Sequence, residues 1–322
     1  MRMRQGMGMG SEGEAEAEVG NAGYGGHGGF GRGQDAKGKG KSTTFNSLSS
    51  AHPISTPGRE EQSRGLREEK GFDMYTPSTN QGAQLGNAWD GENGSNGLTL
   101  DREGRLLLCQ SGNRQVVRLN APLDSPKPVF TVLADNYQGK KFNSPNDLVA
   151  DSKDNIYFTD PIYGLPKHEN DPTRELKFEG VYKITPDGKL SLLIDSISRP
   201  NGIALSLDEK ILYVGSSDDQ HTRWDAFQLD SSGAIRSGAM LLDGAPLKAK
   251  ATVKQGADGF KVDRFGDLFA AGPDGVNIIS PSGKLLALIR IYNRPASNCA
   301  FNEKKDVLYI TASDEVLRVR IR

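Results

Sequence analysis

The chain has 322 residues, with 40 basic against 41 acidic side chains and a formal net charge of -1, so no excess of positive charge directs it toward nucleic acid phosphates. Its two cysteines, Cys109 and Cys299, lie in separate apolar runs without a CxxC spacing, which predicts two buried free thiols rather than a disulfide scaffold. No stretch approaches the roughly 18 consecutive apolar residues of a membrane span, and Met1-Arg2-Met3-Arg4 opens no apolar signal segment. The expectation is therefore a cytoplasmic protein with a small-molecule partner, monomeric, and with neither a nucleic acid nor a membrane partner.

Residues 1–86 are low in complexity, with runs such as Gly25-Gly26-His27-Gly28-Gly29 and Glu14-Ala15-Glu16-Ala17-Glu18. Such a segment buries too little apolar surface to offset an ordering entropy of roughly 1–2 kcal/mol per residue. It is expected to be a mostly disordered arm, and residues 87–322 a folded domain. Within the arm, Gly33 to Ser42 imitates a phosphate-binding loop but fails in both registers. Counted from Gly33, the position after Lys39 is Gly40; counted back from Lys41-Ser42, the leading glycine is Asp35.

Beyond residue 93 the chain repeats itself. Asn96-Gly97, Asn146-Asp147, Asn201-Gly202, Asp258-Gly259 and Asn298-Cys299 each open a short strand, followed by a polar turn and a more apolar strand. Leu98-Thr99-Leu100 with Leu106-Leu107-Leu108 is the first such pair, and Val307-Leu308-Tyr309-Ile310 ends the fifth. Outer hairpins follow at Gly180 to Ile194 and at Gly275 to Ile289. Units of about 40 to 57 residues, built of strands joined by Gly and Asp turns, match the blades of a β-propeller, for which roughly 40–50 residues are typical. The fold class is therefore all-β, with five blades visible.

Asn or Asp in one register five times over is more than a turn signal. In a propeller the first strand of each blade lines the axis, so Asn96, Asn146, Asn201, Asp258 and Asn298 are expected to gather at one end of the channel. Amide and carboxylate oxygens converging there suit a hard cation such as Ca²⁺, which takes about 6–8 oxygen ligands. His168 and His221 fall in polar connections, which disfavours zinc or copper.

Four further strings extend this pattern: Phe142-Asn143-Ser144-Pro145-Asn146-Asp147; Tyr157-Phe158-Thr159-Asp160-Pro161 with Tyr163-Gly164; Arg199-Pro200-Asn201-Gly202; and Gly256-Ala257-Asp258-Gly259. Together they resemble the gluconolactonase, regucalcin (senescence marker protein) and luciferin-regenerating enzyme family, the bacterial-type gluconolactonases most of all. The resemblance implies a six-bladed propeller with one divalent metal, most often calcium, and metal-dependent hydrolysis of a gluconolactone-type sugar lactone. It implies Asn146, Asn201 and Asp258 as metal ligands and Asp258 as catalytic base. Asn146, Asn96, Asp160 and Tyr163 are then the expected substrate contacts. The Glu-Gly-Pro motif with which family members open, and which supplies a ligand glutamate, does not occur before residue 93. That absence keeps open an alternative, a catalytically impaired propeller that binds a small molecule or partner.

Overall fold

A strand that is apolar at successive positions is stable in water only when both of its faces are covered. The second strands of the first four repeats have this character and are covered on both faces, whereas in the fifth Tyr309 is exposed. A computed structural model of the chain describes residues 94–321. Both the arm expected over residues 1–86 and the start of the folded domain at residue 87 lie outside those residues.

Among the described residues the strands form five antiparallel sheets and one short ribbon. The first sheet contains β1 (Leu98–Leu100), β2 (Leu106–Gln110), β3 (Gln115–Leu119) and β4 (Phe130–Ala134), and is followed by the ribbon of β5 (Asn136–Tyr137) and β6 (Lys140–Lys141). The second contains β7 (Leu148–Ala150), β8 (Ile156–Asp160), β9 (Gly180–Ile184) and β10 (Leu190–Ile194). In the third are β11 (Pro200–Leu205), β12 (Ile211–Ser216), β13 (Arg223–Leu229) and β14 (Ile235–Asp243), and a single helical turn, α1 (Ala245–Lys250), leads out of it. The fourth comprises β15 (Phe260–Val262), β16 (Leu268–Gly272), β17 (Gly275–Ile279) and β18 (Leu285–Arg290). Three described strands make the fifth: β19 (Ala296–Phe301), β20 (Val307–Ala312) and β21 (Glu315–Arg320). These are five propeller blades, each beginning at one of the five repeats read from the sequence.

Neighbouring blades pack face to face through side chains that alternate along each second strand. In β8, Phe158 joins Phe142, Leu107 and Val116 between blades one and two, whereas Tyr157 joins Ile203, Leu212 and Val214 between blades two and three. Tyr213 and Trp224 meet Phe260 and Leu268 across the next interface. Phe269, on the other face of β16, meets Leu308 and Ile310 of blade five. Cys109 and Cys299 are free, buried thiols within these interfaces.

The inner hairpins turn in one recurring way. Asp101 Oδ1 accepts the N–H groups of Glu103 and Arg105 at 3.0 and 2.8 Å. Asp151 does the same for Lys153 and Asn155 at 2.9 and 2.8 Å, and Asp263 for Phe265 and Asp267 at 2.7 and 2.9 Å. A carboxylate at the end of the first strand thus satisfies turn donors that no strand partner reaches. Among the described residues no helix is long and apolar enough to cross a membrane.

Replacing Asp263 by alanine removes the one acceptor shared by two part-buried turn donors and is expected to lower the unfolding free energy by about 1 kcal/mol, measured by urea titration; a change below about 0.5 kcal/mol, within surface-substitution scatter, counts against this role.

Candidate functional site

The Asn and Asp residues that open the blades sit in a repeated backbone irregularity. In blade one, Asn96 N–H donates to the Cys109 carbonyl at 2.9 Å and Cys109 N–H returns to Gly97 at 3.0 Å, so two residues oppose one. Asn146 and Asp147 share Thr159 in this manner at 2.8 and 3.0 Å, and Asp258 and Gly259 share Ala271 at 2.9 and 3.1 Å. In blades three and five the register shifts at the same place, between Pro200 and Ile203 and between Ala296 and Asn298. Each is a bulge, an extra residue that bends the strand and re-aims a side chain out of the sheet's alternation.

The bulges of adjoining blades touch. Gly97 N–H donates to the Asn146 carbonyl at 2.6 Å. The Thr159 hydroxyl donates to the Asn201 carbonyl at 2.7 Å. A Cβ on Gly202 would stand 2.2 Å from the Asp258 carbonyl, and one on Gly259 would stand 2.2 Å from the Asn298 side chain. Glycine is required at these two positions by the closeness of the next blade. Asn146, Asn201 and Asp258 thereby stand at the adjoining starts of consecutive blades, with Asn146 and Asn201 buried and Asp258 partly exposed.

The remaining expected residues separate. Tyr163 reaches the next blade: its hydroxyl is hydrogen-bonded to Ser217 Oγ, and the Arg199 guanidinium lies 5.3 Å over its ring. Burial pushes the Tyr163 phenol up to about 12, with the Ser217 hydrogen bond and Arg199 pulling it down and the charges of Asp258 and Glu179 pushing it up. It therefore stays protonated near neutral pH. Asn96 is half-buried at the first bulge. Asn298 holds the matching place in blade five, but its Oδ1 already accepts Cys299 N–H at 2.8 Å and Lys261 Nζ at 3.3 Å.

Asp160 departs from its expected place at the pocket edge. It is fully buried, and its carboxylate accepts Asn143 N–H at 2.8 Å and Ser144 N–H at 2.7 Å. The reason is positional: Asp160 ends β8, directly beneath the loop that delivers Asn146, and a carboxylate there satisfies two buried donors. Ser111 Oγ on the Pro145 carbonyl at 2.6 Å and Gly164 N–H on Ser144 Oγ at 2.8 Å complete the brace.

Other residues at this end were not singled out from the sequence. Arg199 adopts a left-handed φ of 52° just before the Asn201 bulge, and pairs with Glu169 at 2.6 Å. Glu179 accepts Ile162 N–H at 3.3 Å, and burial raises its carboxyl above the usual range against the pull of Arg199. Asp147 is buried beside Asn146; burial raises its carboxyl, and Lys261 and backbone donors pull it down. Asp147 and Arg199 stood inside the motif strings, while Ser217 occupies the register of Ser111, immediately after a second strand.

Among the described residues no three His, Cys, Asp or Glu side chains gather as a metal cluster. The donor set at the bulges is instead two amides and one carboxylate, all oxygen, which fits a hard divalent cation and no softer metal. The fold is a β-propeller whose blades open on these polar residues. Residues 69–314 match the SMP-30/Gluconolactonase/LRE-like region, and the chain belongs to that family. It is 39% identical over 236 residues to the gluconolactonase of Zymomonas mobilis, covering 72% of this chain and 64% of the relative. It is 28% identical to lactonohydrolase oryL of Aspergillus oryzae, covering 58% of this chain and 46% of the relative. The chain thus spans less than two thirds of the length of either curated relative. Among solved structures, a Xanthomonas campestris gluconolactonase is similar with a TM-score of 0.60 and 31% identity, over 71% of this chain and 72% of that one.

Folded Asp160 is pushed up to about 7 by burial, from an ordinary value of 3.8. Between these values the folded state keeps a proton that the unfolded chain releases, so this contribution is complete below about pH 4 and is lost as pH rises through 7. Relative to Asp160→Asn, which cannot titrate, the wild type is expected to lose stability over that window at up to about 1.4 kcal/mol per pH unit. Urea titrations at pH 4.5, 6 and 7.5 measure it, and parallel pH profiles for the two proteins refute it.

Proposed function

We propose that this protein hydrolyses a sugar lactone of the gluconolactone type to its aldonic acid, with one divalent cation, Ca²⁺, held by Asn146, Asn201 and Asp258. The observation that carries the reading is the contact between successive bulges, which sets three oxygen donors on consecutive blades in a chain 39% identical to a gluconolactonase. When bound, the cation supplies Lewis acidity toward the lactone carbonyl and charge stabilisation for the oxygen that becomes anionic.

The chain's own residues do the rest. Asp258, the one carboxylate of the set, accepts a hydrogen bond from the attacking water and takes up its proton, so no covalent nucleophile is needed. Asn146 donates its amide to a ring oxygen or hydroxyl of the lactone, and Asn96 adds a second amide on the neighbouring blade. Tyr163, kept protonated and steadied by Ser217 and Arg199, presents a flat wall against which the sugar ring rests. Asp160 touches no substrate; it holds the Asn146 loop.

A second reading is favoured by the charge count. Calcium affinity rises with ligand charge, and a set of two amides and one carboxylate is poor in charge. A propeller of this kind that binds a lactone or a partner without turning it over accounts for that poverty.

Hydrolysis of D-glucono-δ-lactone by the full chain, followed by acid release, separates the two. The lactonase reading expects turnover that is abolished by a chelator, restored by Ca²⁺, and lowered about 10²-fold or more in Asp258→Ala, comparable to the loss of one stabilising group in a transition state. A folded wild type that shows no Ca²⁺-dependent turnover favours the binding module instead.

A further inference from the structure

The connection from β8 to β9, residues 161–179, is tied to three blades. Its base is closed by Ile162 N–H on Glu179 Oε2 at 3.3 Å. Toward its own blade, Gly164 N–H donates to Ser144 Oγ at 2.8 Å, in the loop that delivers Asn146. Toward the first blade and its ribbon, Arg114 Nη1 donates to the Thr173 carbonyl at 2.9 Å and Lys141 N–H to Glu175 Oε2 at 2.8 Å. Toward the third blade, the Tyr163 hydroxyl meets Ser217 Oγ, and Glu169 Oε1 accepts Arg199 Nη2 at 2.6 Å.

The ties to the third blade meet at Arg199. Its carbonyl accepts Ser217 N–H at 3.0 Å and Ser217 Oγ at 3.2 Å, and its guanidinium lies 5.3 Å over the Tyr163 ring. Two features of Arg199 are unfavourable by themselves. Its φ of 52° lies in the left-handed region, which residues bearing a Cβ enter at a cost, and its Nη1 is buried without a hydrogen-bond partner among the described residues. Costs of this kind persist only where the surroundings impose them, and they gather at functional sites. Here they fall two residues before Asn201, on the side chain that lies against Tyr163. The Arg199 side chain is 18% exposed and that of Glu169 56%, so the carboxylate reaches in from solvent to a cation that the loop has largely covered.

We propose that Glu169 and Arg199 form a latch that positions Tyr163, so that the β8–β9 loop sets how the sugar ring is seated. Glu169 fixes the guanidinium, the guanidinium steadies the phenol by stacking on it, and the phenol meets the face of the sugar. Arg199 is a positioning residue that acts on substrate binding and not on the reacting atoms. Its effect on KM rests on the lactonase reading; the latch itself does not.

The test uses the full chain as Glu169→Ala, Arg199→Met, the double variant and Arg199→Lys. Trypsin cleavage after the exposed Lys167, read from fragment masses, reports on the loop independently of activity. Glu169→Ala and Arg199→Met are each expected to speed that cleavage about 3-fold or more, as loss of a partly covered ion pair does when cleavage follows the open population. The double variant should be no faster than the faster single, because the second change removes a charge already without its partner. Arg199→Lys keeps the charge but not the planar stack, and its cleavage should stay within about 2-fold of wild type. The urea midpoint of Glu169→Ala should match wild type, since its carboxylate is more than half exposed.

On glucono-δ-lactone, Glu169→Ala, Arg199→Met and Arg199→Lys should each raise KM about 3-fold or more with kcat within about 2-fold, the pattern of lost binding common to ground and transition states. Unchanged cleavage in either single variant, multiplied acceleration in the double, or a cleavage gain matched by a falling urea midpoint overturns the latch. Faster cleavage with unchanged KM overturns the positioning of the substrate. A wild type without turnover whose variants keep the cleavage pattern sustains the latch and removes the lactonase reading alone.

Discussion

The structure depends on a two-against-one pairing at the start of each blade. An extra residue in the first strand makes Asn146 and Asp147 share Thr159, and Asp258 and Gly259 share Ala271. Without the bulge, period-two alternation would send the Asn or Asp side chain into one of the two apolar faces that the blades use for packing. With it, the chain presents a polar side chain at the channel mouth and returns to alternation one residue later. The cost is a tight approach between neighbouring backbones, which is why glycine follows the polar residue in the first, third and fourth blades.

That approach is supported differently on its two sides. Away from the channel, each interface is an apolar layer, such as Phe142, Phe158 and Tyr182, whose rings sit 5.2 Å apart in edge-to-face and stacked pairs. Such layers resist any shift of one blade against the next, since close-packed interiors have no slack to absorb it. Toward the channel the support is polar. Asp160 under the Asn143–Asn146 loop and Thr159 between Asp147 and Asn201 hold the same backbones from within. Donor geometry at the mouth is thus set by rigid sheet edges braced twice.

The electrostatics at this end follow from the same design. Asp147 and Asp160 lie behind the first row of polar side chains, each in a buried setting and each answered by backbone N–H groups. Asp258, alone among Asn146, Asn201 and Asp258, is a carboxylate, and it is partly exposed. The buried carboxyl groups thus lie behind the polar residues that open the blades, and burial raises both above the ordinary carboxylate range.

The blades themselves are local and were legible in the residues. Short strands, Asp-anchored turns such as Asp151-Ser152-Lys153-Asp154-Asn155, and doubly apolar second strands such as Ile156-Tyr157-Phe158 depend on neighbours a few positions away. The register of Asn96, Asn146, Asn201, Asp258 and Asn298 was readable for the same reason, because a repeat exposes any position it reuses. What each side chain does there was not. Asp160 and Tyr163 stand three residues apart in one motif, yet one is sealed beneath a loop and the other reaches Ser217 in the next blade. Asn298 looks like its four counterparts until Lys261, 37 positions away, is found on its oxygen. By itself the sequence determined where strands start and turn, since those are short-range properties of the backbone. Only the tertiary structure decided which polar groups face the channel, which brace it and which are consumed by partners, because those outcomes depend on contacts between blades distant in the chain.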